Sequence, residues 1–178
     1  TGDKVGSAVP RQVGTLKVWK SVSAGQGHVL GVRTDGSLWS WGWNGSGQLG
    51  NGSVRDSLVP VRVGTLTGWS EVYAGLISSY GQGVDGMLRA WGSNGSGQLG
   101  DGTTVQRLAP VTVSGGISWR SVSVGREHVL GVGVDGVLRA WGSNVNAQLG
   151  VSLGTRLSTA SPTVVDTSTD WVSVCAGD

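Results

Sequence analysis

The fold of this chain is decided by the segment Trp91-Gly92-Ser93-Asn94-Gly95-Ser96-Gly97-Gln98-Leu99-Gly100. The same pattern stands 50 residues earlier, at Trp41 to Gly50, and 50 residues later, with two glycines replaced, at Trp141 to Gly150. A fixed period of this length indicates an array of one supersecondary unit, in which each copy buries its faces against its neighbours.

Two further markers keep the same step along the chain. The first is a tryptophan that opens a W-x-x-V segment, and the second is a proline. In both series the last interval is 52 residues instead of 50, so the final unit carries a two-residue insertion. The tryptophans are Trp19, Trp69, Trp119 and Trp171, and the prolines are Pro10, Pro60, Pro110 and Pro162.

Each unit contains four short stretches of strand-like sequence. In the second unit these are Pro60–Val63, Trp69–Ala74, Ser79–Val84 and Met87–Trp91. Asp85-Gly86, between the last two, predicts a two-residue hairpin turn, and the same pair recurs in the neighbouring units. We therefore expect four antiparallel strands per unit. Such sheets cover one another when they are arranged radially, as the blades of a β-propeller.

The composition agrees with an all-β chain. The 178 residues include 33 glycines, nine tryptophans and no phenylalanine, and 13% of them are charged. Abundant glycine with few strong helix formers favours tight turns and short strands over helices. The net charge is +2 and the basic residues are scattered, which does not favour nucleic-acid binding. No apolar run approaches the roughly 18 residues of a membrane span, so membrane insertion is not expected.

The repeats resemble those of the regulator of chromosome condensation family. The resemblance rests on Gly-x-x-His-x-Leu-Gly-Val at Gly25–Val32 and Gly125–Val132, on Asp-Gly-x-Leu-x-x-Trp-Gly-x-Asn, on Gly97–Thr104 and on Pro-Val-x-Val. It covers nearly the whole chain in register. It implies a propeller, typically of seven blades. Members range over chromatin binding, ubiquitin ligases, inhibitors and bacterial effectors, and the founding member is a guanine-nucleotide exchange factor.

We expect residues 1–178 to form a partial propeller of about three and a half blades, fourteen strands in all. Doubling the chain length comes close to seven periods, but two identical half-blades would not complete each other, so a segment of a longer chain is the better interpretation. The predicted extents are about 9–50, 59–100 and 109–150 for the blades and about 161–178 for the half-blade.

Motifs that suggest catalysis or cofactor binding have simpler explanations. Gly45–Gly50 and Gly95–Gly100 match G-x-G-x-x-G, but a dinucleotide site needs a helix at the motif and the following residues predict a loop. His28 and His128 stand at equivalent places in separate repeats, so we expect structural roles rather than a shared site. No carboxylate pair, Cys/His cluster or nucleophile motif is present. The sequence predicts no enzyme, no cofactor and no metal site.

Positions that differ between repeats are candidates for binding a partner. Trp43 stands where the other repeats have Ser93 and Ser143, and Trp39 stands where they have arginine. Residues 39, 41 and 43 share strand parity, so they are candidates for one aromatic patch; the alternative is that Trp39 packs against a preceding blade. The remaining candidates lie in variable loops: Arg55, Asp56, Gln106, Arg107 and Arg156.

The preferred function is a non-enzymatic module that binds another protein or a surface glycan through its loops, within a longer chain or an assembly. Guanine-nucleotide exchange on a small GTPase is one alternative. The other is a structural role in an extracellular or virion assembly, in which open blade edges pair with another chain or with the rest of the same chain. The Gly/Ser/Thr/Trp-rich composition favours an extracellular, cell-surface or virion setting over the cytoplasm.

Overall fold

The computed structural model describes residues 3, 5 and 7–177 and is built from β-strands, turns and loops. These residues contain twelve strands and no helix, which confirms the all-β prediction. It follows that none of them forms a helix that could cross a membrane.

The twelve strands form three four-stranded antiparallel sheets, and each sheet is one blade. Blade 1 comprises β1 (Trp19–Ala24), β2 (His28–Arg33), β3 (Leu38–Gly42) and β4 (Ser57–Arg62). Blade 2 comprises β5 (Trp69–Ala74), β6 (Ser78–Gly83), β7 (Leu88–Gly92) and β8 (Arg107–Thr112). Blade 3 comprises β9 (Trp119–Val124), β10 (His128–Gly133), β11 (Leu138–Ser143) and β12 (Ser158–Asp166). In every blade each strand pairs with the next along the chain.

The first strand of each blade lies on the inner side of the array. β1 contacts β5, and β5 contacts β9, so the three strands stand side by side around a common axis. Their C-terminal ends converge so closely that a Cβ on Gly25 would come within van der Waals overlap of the Gly75 carbonyl oxygen. The sheets are therefore arranged radially, as in a propeller.

The Asp-Gly turns join the second and third strands of every blade, but each loop is one residue longer than predicted. In blade 1 the Arg33 amide donates to the Ser37 carbonyl and the Gly36 amide donates to the Arg33 carbonyl. This leaves a three-residue loop that ends on Gly36, whose φ is +75°. A type I turn followed by a left-handed residue is the common three-residue hairpin, and glycine suits its last position.

The predicted blade boundaries are wrong, because the proline-containing strand closes the preceding blade. β4 pairs with β3, with Ser40 opposite Val61, and not with β5. The loop 43–56 folds back on the end of β3, whereas residues 63–68 cross to the next blade, where the amide of Trp69 donates to the Gly36 carbonyl. The sequence prediction instead grouped Pro60–Val63 with the strands that follow it, in the second blade.

The predicted half-blade is also absent among the described residues. Its first strand, β12, is the outer strand of blade 3, so there are twelve strands instead of fourteen. Residues 167–177 form no strand, yet they follow blade 3 as β5 follows blade 1. The Ala176 amide donates to Ser123 Oγ at 2.8 Å, just as the Ala74 amide donates to Ser23 Oγ at 2.9 Å. Three complete blades are therefore present.

Hydrophobic cores lie between consecutive blades. We call the side of a blade that faces the following blade its leaving face, and the opposite side its entering face. The leaving face of blade 1 presents Leu30, Val32, Leu38 and Val63, and the entering face of blade 2 presents Trp69, Val72 and Trp91. Burying a large apolar side chain stabilises by roughly 1.5–3 kcal/mol, so these interfaces hold the array together.

Candidate functional site

Three long loops lie at the same end of the array, and we call this end the loop face. They are residues 43–56, 93–106 and 144–157, each of which joins the third strand of a blade to the fourth. The short connections between the first and second strands open on the same end. The Asp-Gly turns lie at the opposite end. Of these two ends of the array, the loop face differs more in sequence between the repeats, and it is therefore the candidate site.

A buried asparagine fixes the shape of each long loop. In blade 1, Asn44 is fully buried, and its Nδ2 donates to the carbonyls of Ser53 at 2.9 Å and Arg55 at 3.0 Å. Its Oδ1 accepts from the Leu49 amide at 2.9 Å. Asn94 makes the equivalent bonds in blade 2. The Asn-Gly-Ser segments at these two positions therefore anchor the loops, and the side-chain amide nitrogens of Asn44 and Asn94 are engaged in hydrogen bonds.

Trp43 is the large aromatic side chain that the loop face exposes. Gly42 has a φ of +105°, so β3 ends there and Trp43 leaves the alternation of the strand. The Trp43 amide donates to the Gly27 carbonyl at 2.7 Å, and the indole lies against Gly45. The side chain nevertheless remains 42% exposed. An indole on a fixed backbone offers a large contact area whose ordering on binding costs little entropy.

Trp39 and Trp43 do not form one aromatic patch. Trp39 is half-buried on β3, where it lines a groove with Leu16 and Pro60, and its Nε1 donates to Ser37 Oγ at 2.9 Å. Trp41 has its ring contact with Trp19, at 5.7 Å between centroids. The alternation of side chains along β3 therefore places Trp39 and Trp41 on the same face of the strand, and this alternation ends at Gly42.

The other predicted residues all lie in or next to the long loops. Arg55, Gln106 and Arg156 are exposed. Asp56 is exposed too, but its Oδ1 also accepts from the Asn44 amide at 2.9 Å. Arg107 has a structural contact, because its Nε pairs with Asp101 Oδ2 at 2.7 Å. They form three neighbouring groups along the loop face, one for each blade.

Sequence reasoning missed the residues at the centre of the loop face. The converging ends of β1, β5 and β9 line a concave surface, and the variable residues there are Gln26, Leu76 and Arg126. They follow the glycines that end the three inner strands. A comparison of the repeats at this position would have found them, because the residue type changes each time.

His28 is a structural residue between two blades. It is 2% exposed, and its Nε2 lies 2.8 Å from Ser79 Oγ of blade 2. The Ser79 hydroxyl donates to the Gln48 carbonyl at 2.7 Å, so its oxygen accepts from a protonated Nε2. Burial away from water lowers the pKa of His28 to about 4. The imidazole is therefore neutral at physiological pH and serves as a hydrogen-bond donor.

This burial predicts a loss of stability in mild acid. The unfolded chain protonates His28 near pH 6.5 and the folded chain near pH 4, so the unfolded state binds more protons in between. We expect the free energy of unfolding to fall by about 2 kcal/mol between pH 7 and pH 5. Urea denaturation at both values measures it.

A His28→Gln variant is the control: it removes the contribution of His28 and keeps that of His128, whose pKa burial also lowers, so its stability should change less over the same pH range. An unchanged pH dependence in this variant would contradict the assignment. The aspartates do not confuse the measurement, because the pKa values of Asp35, Asp85 and Asp135 lie below the usual aspartate range. Their contributions are lost at more acidic pH.

His128 does not share a site with His28. Burial lowers its pKa as well, and it lines a polar groove with Glu127 and Gln148 on the far side of blade 3. The described part of the chain contains no group of three or more His, Cys, Asp or Glu side chains placed to hold a metal ion.

Comparison with known proteins identifies the family to which these repeats belong. The model of the regulator of chromosome condensation (RCC1) repeat matches residues 35–76 and 85–132, more than half of the chain. The chain belongs to the RCC1 repeat family. A second RCC1 repeat model matches residues 19–48. The resemblance that the sequence suggested is therefore confirmed.

Solved structures show the same fold. Human WBSCR16 superposes with a TM-score of 0.74 at 24% identity over 83% of this chain. Yeast RCC1 (Prp20), solved in complex with Kap60, gives 0.76 at 22% identity over 85%. Saccharomyces cerevisiae Prp20p, described with its binding properties to Gsp1p and histones, gives 0.76 at 23% identity over 85%. The chain spans 38–39% of the length of these proteins, so it corresponds to part of their propellers.

Proposed function

We propose that this RCC1-type chain is a non-enzymatic module that binds another protein through its loop face. The observation that carries the proposal is Trp43, an indole that is 42% exposed where the other two repeats have serine. The blade does not need an aromatic residue at this position. Tryptophan is enriched among the residues that contribute most to binding energy, so its exposure on a rigid loop supports a contact role.

The surroundings of Trp43 have the features of a protein interface. Arg55 and Asp56 lie on the same loop as the indole, and the concave centre of the loop face adds Gln26, Leu76 and Arg126. An aromatic anchor with a polar rim is the usual composition of such surfaces. Gln106, Arg107 and Arg156 extend the surface over blades 2 and 3. The Prp20 structures name Kap60, Gsp1p and histones as protein partners of that protein, which supports a protein as the class of ligand proposed here.

A Trp43→Ser variant tests the proposal, because it installs the residue of the other repeats. We expect unchanged stability, within about 0.5 kcal/mol, since the substitution is on the surface. Binding to immobilised histones or Gsp1p, measured by biolayer interferometry, should weaken at least tenfold. Val84→Ser is the matched control: Val84 is 78% exposed and lies at the Asp-Gly end. Equal binding by both variants, or failure of the wild-type chain to bind either probe, would contradict the proposal.

Nucleotide exchange is the alternative activity to measure in parallel. If the chain accelerates release of a fluorescent guanine nucleotide from Gsp1p, the exchange function replaces simple binding as the better description. The surface glycan as a ligand and the extracellular, cell-surface or virion setting stay predictions from the sequence.

A further inference from the structure

The loop face contains every Asn-Gly pair of the sequence. The pairs are Asn44-Gly45 and Asn51-Gly52 in loop 43–56 and Asn94-Gly95 in loop 93–106. An asparagine before a glycine can lose its side-chain amide without an enzyme, because the glycine nitrogen attacks the side-chain carbonyl carbon and no side chain on the glycine obstructs it. Whether a pair reacts in the folded chain depends on which of its atoms the fold leaves free.

The fold protects the first and third of these pairs. Asn44 is 0% exposed and Asn94 is 1% exposed. In both, Nδ2 donates to two backbone carbonyls and Oδ1 accepts from a leucine amide. Attack on the side-chain carbon would break these buried hydrogen bonds, and the released ammonia would have no path to water. We therefore expect Asn44 and Asn94 to stay intact in the folded chain.

Asn51 differs from the other two because its amide group is open to solvent. The residue is exposed, and none of the described residues accepts a hydrogen bond from its Nδ2. Gly52 is exposed as well, and a Cβ at this position would meet no atom within 4 Å. The leaving group and the surroundings of the attacking nitrogen are therefore both accessible to water.

The side-chain oxygen of Asn51 has the hydrogen-bond donors that this reaction needs. Its Oδ1 accepts from the Ser53 amide at 3.1 Å and from Ser53 Oγ at 2.9 Å. When the Gly52 nitrogen attacks Cγ, negative charge develops on this oxygen, and donors that already point at it stabilise that charge.

One contact of Gly52 opposes the reaction. Its amide donates to the Leu108 carbonyl of blade 2 at 2.9 Å, and this hydrogen bond has to open before the nitrogen can attack. The folded chain should therefore react more slowly at Asn51 than the unfolded chain does.

We propose that Asn51 is a site of spontaneous deamidation in the folded chain. The Gly52 nitrogen gives its proton to hydroxide and forms a bond to Asn51 Cγ. The bond between Cγ and Nδ2 breaks, and the amide leaves as ammonia with a proton from water, which restores the hydroxide. Water then opens the cyclic succinimide at Cγ to give aspartate, or at the backbone carbonyl carbon to give isoaspartate. The net reaction takes up one water and releases one ammonia, without oxidation or reduction.

The second repeat shows that the fold accommodates an aspartate at this place. Asp101 is the equivalent of Asn51. Its Oδ1 accepts from the Thr103 amide at 3.0 Å and from Thr103 Oγ1 at 2.8 Å, as Oδ1 of Asn51 does from Ser53. The aspartate product therefore keeps the hydrogen bonds that shape the loop.

Deamidation changes the charge of the loop face. Arg55 and Asp56 are the charged residues of loop 43–56, so its net charge goes from zero to −1. In blade 2 the side chain of Arg107 pairs with Asp101, but blade 1 has Ser57 at the position of Arg107. The new carboxylate consequently has no arginine at that position to neutralise it.

Tandem mass spectrometry after long incubation in warm, mildly alkaline buffer tests the proposal. The tryptic peptide 34–55 contains Asn44 and Asn51, which fragment ions distinguish, and peptide 90–107 contains Asn94. The folded chain should gain the mass of an amide-to-acid exchange at Asn51 alone and move to a more acidic position in ion-exchange chromatography. The chain in guanidinium chloride should react at all three positions, and faster.

A Gly52→Ala variant tests the attacking group. A methyl beside the nitrogen hinders the attack, so deamidation of Asn51 in the folded chain should become severalfold slower. Gly64→Ala is the matched control, because Gly64 also has a positive φ, +58° against +81° for Gly52, and open space around its Cβ position. This control should deamidate at the wild-type rate.

A pair of aspartate variants tests whether the product is accommodated. Asn51→Asp should keep the wild-type midpoint of urea denaturation, whereas the same substitution at the buried Asn44 should lower it. A lowered midpoint for Asn51→Asp would contradict the inference from Asp101.

The proposal would be overturned if Asn51 of the folded chain stayed intact while the unfolded chain was converted completely. Conversion of Asn44 or Asn94 in the folded chain as fast as Asn51 would show that the fold does not select the site. An unchanged rate in Gly52→Ala would exclude attack by the Gly52 nitrogen and with it the reaction proposed.

Discussion

Replacing Trp91 by alanine is expected to lower the free energy of unfolding by about 3–5 kcal/mol. Trp91 is fully buried between blades 1 and 2, in an edge-to-face contact with Trp69 at 6.2 Å between ring centroids. Its removal leaves a cavity in the inter-blade core and takes one donor from the Gln48 carbonyl. Urea denaturation followed by tryptophan fluorescence and by circular dichroism measures the loss.

Trp43→Ala is the control for this measurement, because it removes the same side chain from the surface. It should change the free energy of unfolding by less than about 1 kcal/mol. A Trp91→Ala chain within about 1 kcal/mol of wild type would contradict the prediction and show that the Trp91 indole is not a main contact between blades 1 and 2. The array is quasi-linear, so the damage should be local to blades 1 and 2. Hydrogen exchange should reveal faster opening of β1–β4 than of β9–β12.

Replacing Asn44 by aspartate is expected to cost about 3 kcal/mol, although the two side chains have the same shape. Asn44 Nδ2 donates to the carbonyls of Ser53 and Arg55 inside the protein. A carboxylate has no proton for these acceptors and would place a buried negative charge beside them. Loop 43–56 should detach from β3, and the exposure of Trp43 should change with it. The midpoint of urea denaturation and the Trp43-dependent fluorescence report the two effects.

Asn144→Asp is the matched control in the third repeat, where Val145 and Ala147 replace two glycines of the loop. Asn144 is half-buried, and its Nδ2 donates to one carbonyl, that of Val151, at 3.2 Å. The same substitution should therefore cost clearly less there. Equal costs at both positions would show that the cost arises from the charge alone and not from the lost donors.

Much of the architecture was predictable because the residues responsible act locally and recur. Gly36, Gly86 and Gly136 terminate hairpin loops with positive φ wherever they stand, and the strands beside them follow. The tryptophan and Gln-Leu-Gly series keep one period because each repeat presents the same faces to its neighbours. Fold class, four strands per blade and the structural role of His28 followed from these patterns alone.

Strand pairing across the blade boundary was not predictable in the same way. A 50-residue period does not show at which residue a blade begins. It is therefore compatible with Pro60 in the first strand of blade 2 and equally with Pro60 in the last strand of blade 1. The choice depends on the path of loop 43–56, which Asn44 holds by hydrogen bonds to residues nine and eleven positions away. The supposed patch of Trp39 and Trp43 failed for a related reason, since it assumed that the strand continued through Gly42.

The amino-acid sequence by itself determined the repeat, the all-β class and the family, because period, turn glycines and strand patterns are properties of short segments. Only the tertiary structure decided which of the equivalent residues in the three repeats are exposed to solvent. Val22, Val72 and Val122 occupy the same local position, yet the first is exposed and the other two are buried. The difference lies in the neighbouring blade, since burial depends on what packs against a residue and not on the residue's own segment.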